Sequence, residues 1–484
     1  MDVKNTRNLT MLFDFYELTM GNGYFRNGFG EKTAYFDLFF RQVPDGGGFA
    51  IAAGLEQVVE YIRDLRFDED DVEYLRSRGL FCEEFLQYLL KFRFTGDIWA
   101  VPEGTPVFPR EPLITVRAPA IQAQLVETYL LLAVNHQSLI ATKANRIVRA
   151  AKGRSVMEFG TRRAQGADAA ILGARAAYIA GCAGTACTIA DQNYGVHALG
   201  TMAHSWVQMF DTELDAFRTY CEVYPNNAVL LVDTYNTLHS GIPNAIRAFN
   251  EVLKPLGIKK CGIRLDSGDM AYLTQQARQM LDEAGWTECT ITCSNSLDEY
   301  LIRDLLEQGA KIDSFGVGER LITARSEPVF GGVYKLVAVQ SPGGEIVPKI
   351  KISENVAKIT VPHFKRLFRF YGRDSGKALA DYMCLWDEAP DDTKPLTIFD
   401  PENTWKRKEL TDFRACELQV QVFRGGELVY KLPTLEEIRA YCASEVDTLW
   451  DEVKRFENPH GYYVDLSDRL WDIRYQLLKN KGNT

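Results

Sequence analysis

Between about residues 156 and 339 the chain alternates short β-branched and aromatic runs with stretches whose apolar residues recur at helical spacing. VMEF (156–159), VHALG (196–200), AVLLVD (228–233), CGIRLD (261–266), TITCSN (290–295), IDSFGVG (312–318) and GGVYKLVAV (331–339) read as strands. AIRAFNEVL and AYLTQQARQML, among the intervening segments, read as helices. Repeated βα units predict a parallel sheet, and this many of them predict an α/β fold built on an irregular TIM-like barrel. Most of these runs end in polar or glycine residues: EFGTRR, GTMAHS, VDTYN, RLDSGD, SNSLDE and FGVGER. In a barrel such endings meet at one face, so they are expected to line one pocket.

The flanks carry a different pattern. Residues 1–150 combine the aromatic strand TAYFDLFF with helices and an alternating, proline-broken stretch, GDIWAVPEGTPVFPREPLITVRAP, suited to antiparallel strands. Residues 346–484 begin with the lysine-spaced KISENVAKITVPHFKRLFRF and end, from Thr434, in a pattern of amphipathic helix. The expected organisation is an N-terminal α+β segment (1–150), a central barrel (151–345), and a C-terminal segment (346–484) that completes the α+β domain.

Composition narrows the function classes. The 484 residues carry a net charge of −10 and no basic block, which argues against nucleic acid while leaving room for a local anion site. The ten cysteines lack zinc-ribbon spacing and read as reduced thiols. No apolar run approaches a membrane span, and the N-terminus lacks a leader's basic-then-apolar layout, so a soluble cytoplasmic protein is expected.

Among the candidate chemistry, GTMAHS holds one of only six histidines. Val207, Phe210, Leu214, Phe217 and Cys221 follow at helical spacing, which places His204 at a strand-to-helix junction where free N–H groups favour an anion. A histidine there reads as a packing residue, a general base or a phosphate carrier; a zinc ligand lacks any HxxxH or HExxH support. RLDSGD sets Arg264, Asp266 and Asp269 at a strand end, able to hold ribose hydroxyls or Mg²⁺, and equally able to form a plain capped turn. EFGTRR supplies Arg162 and Arg163, suited to clamping a carboxylate or phosphate. FGVGER is a glycine turn that offers backbone donors without being a Walker loop. Lys335 in VYKLV keeps a rival class open, a TIM-type aldolase working through a Schiff base.

Taken in order, DFYELTMGNGY, NHQSLIATKA, EFGTRRAQG, GTMAHSWVQ, LLVDTYNT, RLDSGD, SNSLDE, FGVGERLIT and GGVYKLV resemble the nicotinate phosphoribosyltransferases over about residues 10–370. The resemblance implies a type II phosphoribosyltransferase that makes nicotinate mononucleotide and diphosphate from nicotinate and 5-phosphoribosyl 1-diphosphate, in NAD biosynthesis. It implies coupling to ATP hydrolysis through phosphorylation of His204, with Mg²⁺ held by Asp266 or Asp269, and a homodimer with shared sites. Tyr16 and Phe159 match the aromatics that sandwich the pyridine ring, with Tyr16 supplied across the dimer. Arg162 and Thr201 match positions near the nicotinate carboxylate or the ribose phosphate, and Arg264 and Asp266 match positions near base and ribose. Ser294, Asn295, Gly316, Gly318 and the Glu319 backbone match the cradle of the 5-phosphate, while Ser205 either assists the phosphate on His204 or caps its helix. Asp233 is the acid expected to orient His204. Three positions depart from the family pattern: Glu319 where threonine is frequent, Ala186 in place of serine, and His363 where glycine is common. The sister activity on nicotinamide is the runner-up, disfavoured by the lack of an acid at Ala186.

Overall fold

In the computed structural model, which describes residues 8–354 and 358–481, the apolar runs become six strands joined by parallel hydrogen bonds. They are β1 (Ser155–Glu158), β2 (Gly184–Thr185), β3 (Val229–Leu231), β4 (Gly262–Leu265), β5 (Thr290–Asn295) and β6 (Ser314–Val317). Their order is β2-β1-β6-β5-β4-β3, so the first strand pairs with the last and all sequence neighbours except β2 and β3, the two ends of the order, lie side by side. That cyclic order is the order of a barrel. Val156, Leu230, Leu231, Ile263, Leu265, Ile291, Cys293, Phe315 and Val317 are at most 1% exposed. Burial on both faces is why these strands read as unbroken apolar runs rather than as alternation.

The barrel is irregular between β2 and β3. The segment read as the strand 196–200 makes only a single bridge, Ala198 to Thr185. It runs very close to β2: a Cβ at Gly184 would lie 2.4 Å from the His197 carbonyl oxygen. The helical stripe after His204 is also divided. His204–Gln208 is one short helix; Thr212 then accepts the Asp215 N–H and starts a second, Glu213–Val223, and Val207, Leu214, Phe217 and Cys221 are buried from both.

The described chain forms two compact units, Ile140–Pro328 around the barrel and Met1–Leu139 with Val329–Thr484. Both flanks of the barrel therefore belong to one unit. Its main sheet is antiparallel, in the order Ile346–Pro348, Gly332–Gln340, Thr33–Phe40, Ile114–Pro119, Asp97–Ala100, Val420–Arg424, Glu427–Leu428. The run 331–339, read as a barrel strand, lies in this sheet, with Lys335 opposite Asp37. Its ammonium donates to the Tyr334 carbonyl oxygen, and burial lowers its pKa. The aldolase reading required that lysine on a barrel strand, and that premise is lost.

A four-stranded sheet, Phe413–Glu417, Lys365–Gly372, Ala378–Leu385 and Val464–Leu466, packs a core of Phe368, Phe370, Tyr382 and Phe413. Its fully buried Arg369 forms a two-pronged pair with Asp381, at 2.8 and 2.6 Å. The C-terminal tail is not all helix: Val464–Leu466 separates Leu435–Thr448 from Asp468–Lys481. His363 adopts φ 77°, the left-handed conformation that glycine takes without strain, so this departure costs backbone energy. Residues 1–7 of the stretch read for a leader, and 355–357 within the lysine-spaced stretch, lie outside the described residues.

Candidate active site

A cavity of about 420 Å³ opens in the barrel unit at the carboxyl ends of the strands. β1 contributes Phe159, Arg162 and Arg163; β2 contributes Ala186; the segment that bridges to β2 contributes Leu199 to His204. β4 supplies Arg264 and Asp266, β5 supplies Ser294 to Ser296, and β6 supplies Gly316, Gly318 and Glu319. Five polar endings expected to converge therefore do so, and β3 joins them through hydrogen bonds rather than through the lining.

The aromatic wall is built by two close approaches. A Cβ at Gly316 would lie 2.5 Å from the Phe159 ring, and one at Gly318 would lie 3.2 Å from the Phe159 carbonyl oxygen. Both glycines thus make room for Phe159, whose N–H donates to the Val317 carbonyl. Under this wall sits Glu158, a residue the sequence reading passed over. Its carboxylate accepts the Gly160 N–H and, at 2.6 Å, the Thr185 hydroxyl, tying the arginine turn to β2. Burial raises the Glu158 pKa, and these two hydrogen bonds oppose the rise. The one signal for it was a carboxylate at the end of an otherwise apolar strand.

Charge in the lining is unbalanced. Arg162, Arg163 and Arg264 face Asp266 and Glu319, and the Glu319 carboxylate is drawn to Arg325 at 3.1 Å. The side chains of Arg162 and Arg163 are exposed and form no ion pair among the described residues. Arg264 donates to the Thr201 hydroxyl, while its buried Nε has no hydrogen-bond partner among the described residues. Burial lowers the Arg264 pKa, and Asp266 and Asp233 push it back up. A basic, partly dehydrated recess of this kind suits a ligand carrying carboxylate or phosphate.

A second network spans three strand ends. Asp266 accepts the Ser294 hydroxyl, and Asp233 accepts both the Asp266 N–H at 2.9 Å and the Ser267 hydroxyl at 2.6 Å. The other Asp233 oxygen, Oδ1, is buried without a partner among the described residues. Asp233 was expected to orient His204, yet the residue at that ring is its neighbour: Thr234 Oγ1 lies 3.1 Å from His204 Nδ1. Nothing in the sequence pattern singles out Thr234. At the β5 end, Asn295 holds φ 121° and its side chain accepts the Ser296 N–H, a strained turn at the cavity edge.

Three other residues expected at the site, besides Asp233, lie outside the lining. Asp269 accepts the Tyr272 N–H and caps the helix Met270–Glu283. Ser205 is exposed, and Ala203 rather than Ser205 stands at the cap position of its helix, with no side-chain cap bond. Tyr16 belongs to the other unit, on the helix Phe15–Arg26, where burial and Glu127 raise its hydroxyl pKa.

Models of the nicotinate phosphoribosyltransferase N-terminal domain, family region and C-terminal domain match residues 11–135, 154–360 and 364–474. The chain is 44% identical to the nicotinate phosphoribosyltransferase of Bacillus subtilis (strain 168), over 97% of this chain and 95% of that protein. Identity to the Homo sapiens nicotinate phosphoribosyltransferase is 32%, over 95% of each chain. The crystal structure of human nicotinic acid phosphoribosyltransferase superposes with a TM-score of 0.85 at 30% identity, covering 96% of this chain and 99% of that one. A nicotinate-nucleotide pyrophosphorylase from Pyrococcus furiosus, at 22% identity and a TM-score of 0.70, shares the fold. With its barrel, its basic cavity and these matches along nearly its whole length, the chain belongs to the nicotinate phosphoribosyltransferase family.

Proposed function

We propose that this nicotinate phosphoribosyltransferase joins the pyridine nitrogen of nicotinate to C1 of 5-phosphoribosyl 1-diphosphate, and couples the transfer to ATP hydrolysis through phosphate carried on His204. The observation that carries the coupling is His204 itself. It lies in the same basic cavity, one ring nitrogen faces Thr234, and the other has no partner among the described residues.

Bond breaking at C1 builds positive charge on the ribose and negative charge on diphosphate. Arg162 and Arg163 suit the phosphate groups, Arg264 with Thr201 suits the nicotinate carboxylate, and Phe159 suits the pyridine face. Ser294, Asn295, Gly318 and the Glu319 backbone suit the 5-phosphate, since the Glu319 side chain is turned to Arg325. Nicotinate nitrogen already presents a lone pair, so positioning rather than proton removal is the main demand.

Mg²⁺ takes one or two carboxylates and leaves its remaining positions to phosphates and water. Asp266 and the partnerless Asp233 Oδ1 fit that role; Asp269, committed to its helix cap, does not. Bound there, the ion supplies charge neutralisation to the diphosphate. The reading also includes a homodimer in which Tyr16 of one copy closes the cavity of the other. Its support is the exposure of Leu12, Phe15, Tyr16 and Met20, each more than a third exposed at the start of the chain. Ten free cysteines suit a reducing, cytoplasmic setting, and no described helix is long and apolar enough to cross a membrane.

Turnover with nicotinate and with nicotinamide, each with and without ATP, tests the reading. Nicotinate is expected to be favoured by about 10²-fold or more in kcat/KM, because nicotinamide leaves the arginine without its carboxylate. ATP is expected to be hydrolysed in step with transfer. Equal use of both pyridines, or transfer indifferent to ATP, would overturn it.

The aromatic wall gives a separate check. Gly316→Ala puts a methyl group where the Phe159 ring lies and is expected to raise KM for nicotinate by about 10–100-fold, the usual cost of a misplacement near 1 Å. Steady-state kinetics beside a melting curve measure it; an unchanged KM in the folded variant would remove Phe159 from the nicotinate seat.

A further inference from the structure

We infer that Thr234 is the positioning residue that sets the tautomer of His204, holding the proton on Nδ1 and leaving the Nε2 lone pair free to accept phosphate. The inference rests on the phosphate-carrier reading of His204 and adds the residue that prepares the ring.

The geometry at the two ring nitrogens is specific. Thr234 Oγ1 stands 3.1 Å from Nδ1, a hydrogen-bond distance, and Nε2 has no partner among the described residues in a side chain that lines the cavity. The carboxylate next in sequence, the usual kind of partner for a catalytic imidazole, makes no hydrogen bond to the ring among the described residues: Asp233 Oδ2 accepts the Asp266 N–H and the Ser267 hydroxyl, and Thr234 holds Nδ1. A neutral hydroxyl therefore replaces a carboxylate at this ring.

That replacement has a chemical consequence. A carboxylate at Nδ1 favours the imidazolium, in which both nitrogens carry protons and neither is a nucleophile. A hydroxyl accepts from Nδ1–H without that bias. The Nε2 lone pair then forms the bond to the γ-phosphorus of ATP as the bond from that phosphorus to the β,γ-bridging oxygen breaks, and its electron pair leaves on ADP. Once solvent takes the Nδ1 proton from the phosphorylated ring, the same hydroxyl turns and donates to Nδ1. Threonine serves both states; a carboxylate, being only an acceptor, serves the first alone.

Two readouts test this and fail independently. The first is the ring itself, in the full-length protein with ¹⁵N-labelled histidine, the His204 signal being assigned by its loss in His204→Gln. The free wild-type ring is expected to show a proton on Nδ1 and none on Nε2, and Thr234→Val is expected to lose that preference. The second is the rate of phosphate incorporation from γ-labelled ATP with Mg²⁺. Thr234→Val is expected to slow it by at least about tenfold, because the wrong tautomer removes the attacking lone pair. Thr234→Ser, which restores only the hydroxyl, is expected to return within about threefold of wild type. A wild-type ring protonated on Nε2, or Thr234→Ser as slow as Thr234→Val, overturns the inference. A ring protonated on Nδ1 in a protein that takes no phosphate at all supports the tautomer assignment and overturns the ATP coupling instead.

Discussion

His204→Ala is expected to carry no acid-labile, base-stable phosphate after incubation with ATP and Mg²⁺, and to lose ATP-stimulated turnover by on the order of 10² or more. The ring stands at the cavity with one nitrogen open, and no other histidine lines it among the described residues. Slow transfer at high 5-phosphoribosyl 1-diphosphate is expected to survive. The new bond joins pyridine nitrogen to ribose carbon, and the imidazole is not among the atoms that change partners. In the proposed coupling, phosphate on His204 would instead link that bond to the free energy of ATP hydrolysis. Label that persists in the variant would place the phosphate elsewhere, and complete loss of transfer in a folded variant would give His204 a direct part in bond making. The helix beginning at His204 has only five residues, so its dipole adds little to either effect.

Much of the barrel was legible because its strands are buried on both faces. Ile263, Leu265, Phe315 and Val317 leave continuous apolar runs, and the polar residues after each run have nowhere to lie but the rim. The same signal misplaced 331–339. An antiparallel strand flanked by Thr33–Phe40 and Ile346–Pro348 also presents a mostly apolar run, and one-dimensional pattern does not report the direction of the neighbouring strand. Asp269 was ambiguous for a related reason: a strand-end aspartate before a helix is an N-cap and a metal ligand in the same letters, and the Tyr272 N–H it accepts supports the N-cap. Gly316 was legible as a glycine that mattered, but its purpose is the space it leaves for Phe159. Thr234 and Glu158 act by touching residues 30 and 27 positions away, His204 and Thr185, and no local pattern carries such a pairing.

Arg264→Leu is expected to lower kcat/KM for nicotinate by about 10²–10³, the cost of removing a well-placed charged donor from a partly dehydrated site. The fall should be smaller with nicotinamide, which offers no carboxylate to the missing guanidinium. Stability should move little or rise, and the reason lies in the same side chain. Its buried Nε has no partner among the described residues, and burial opposes its charge, so in the free protein Arg264 is a cost to folding that a bound carboxylate would offset. Leucine at that half-buried position removes an unsatisfied donor along with the charge. Arg264→Lys separates the two contributions: it keeps a positive charge but not the planar fork that reaches Thr201 and a carboxylate together. An intermediate kcat/KM for lysine, beside an unchanged or raised melting temperature for leucine, is the expected pattern. Equal losses on both pyridines would assign Arg264 to the phosphoribosyl donor instead, and leave the nicotinate carboxylate to Arg162 and Arg163.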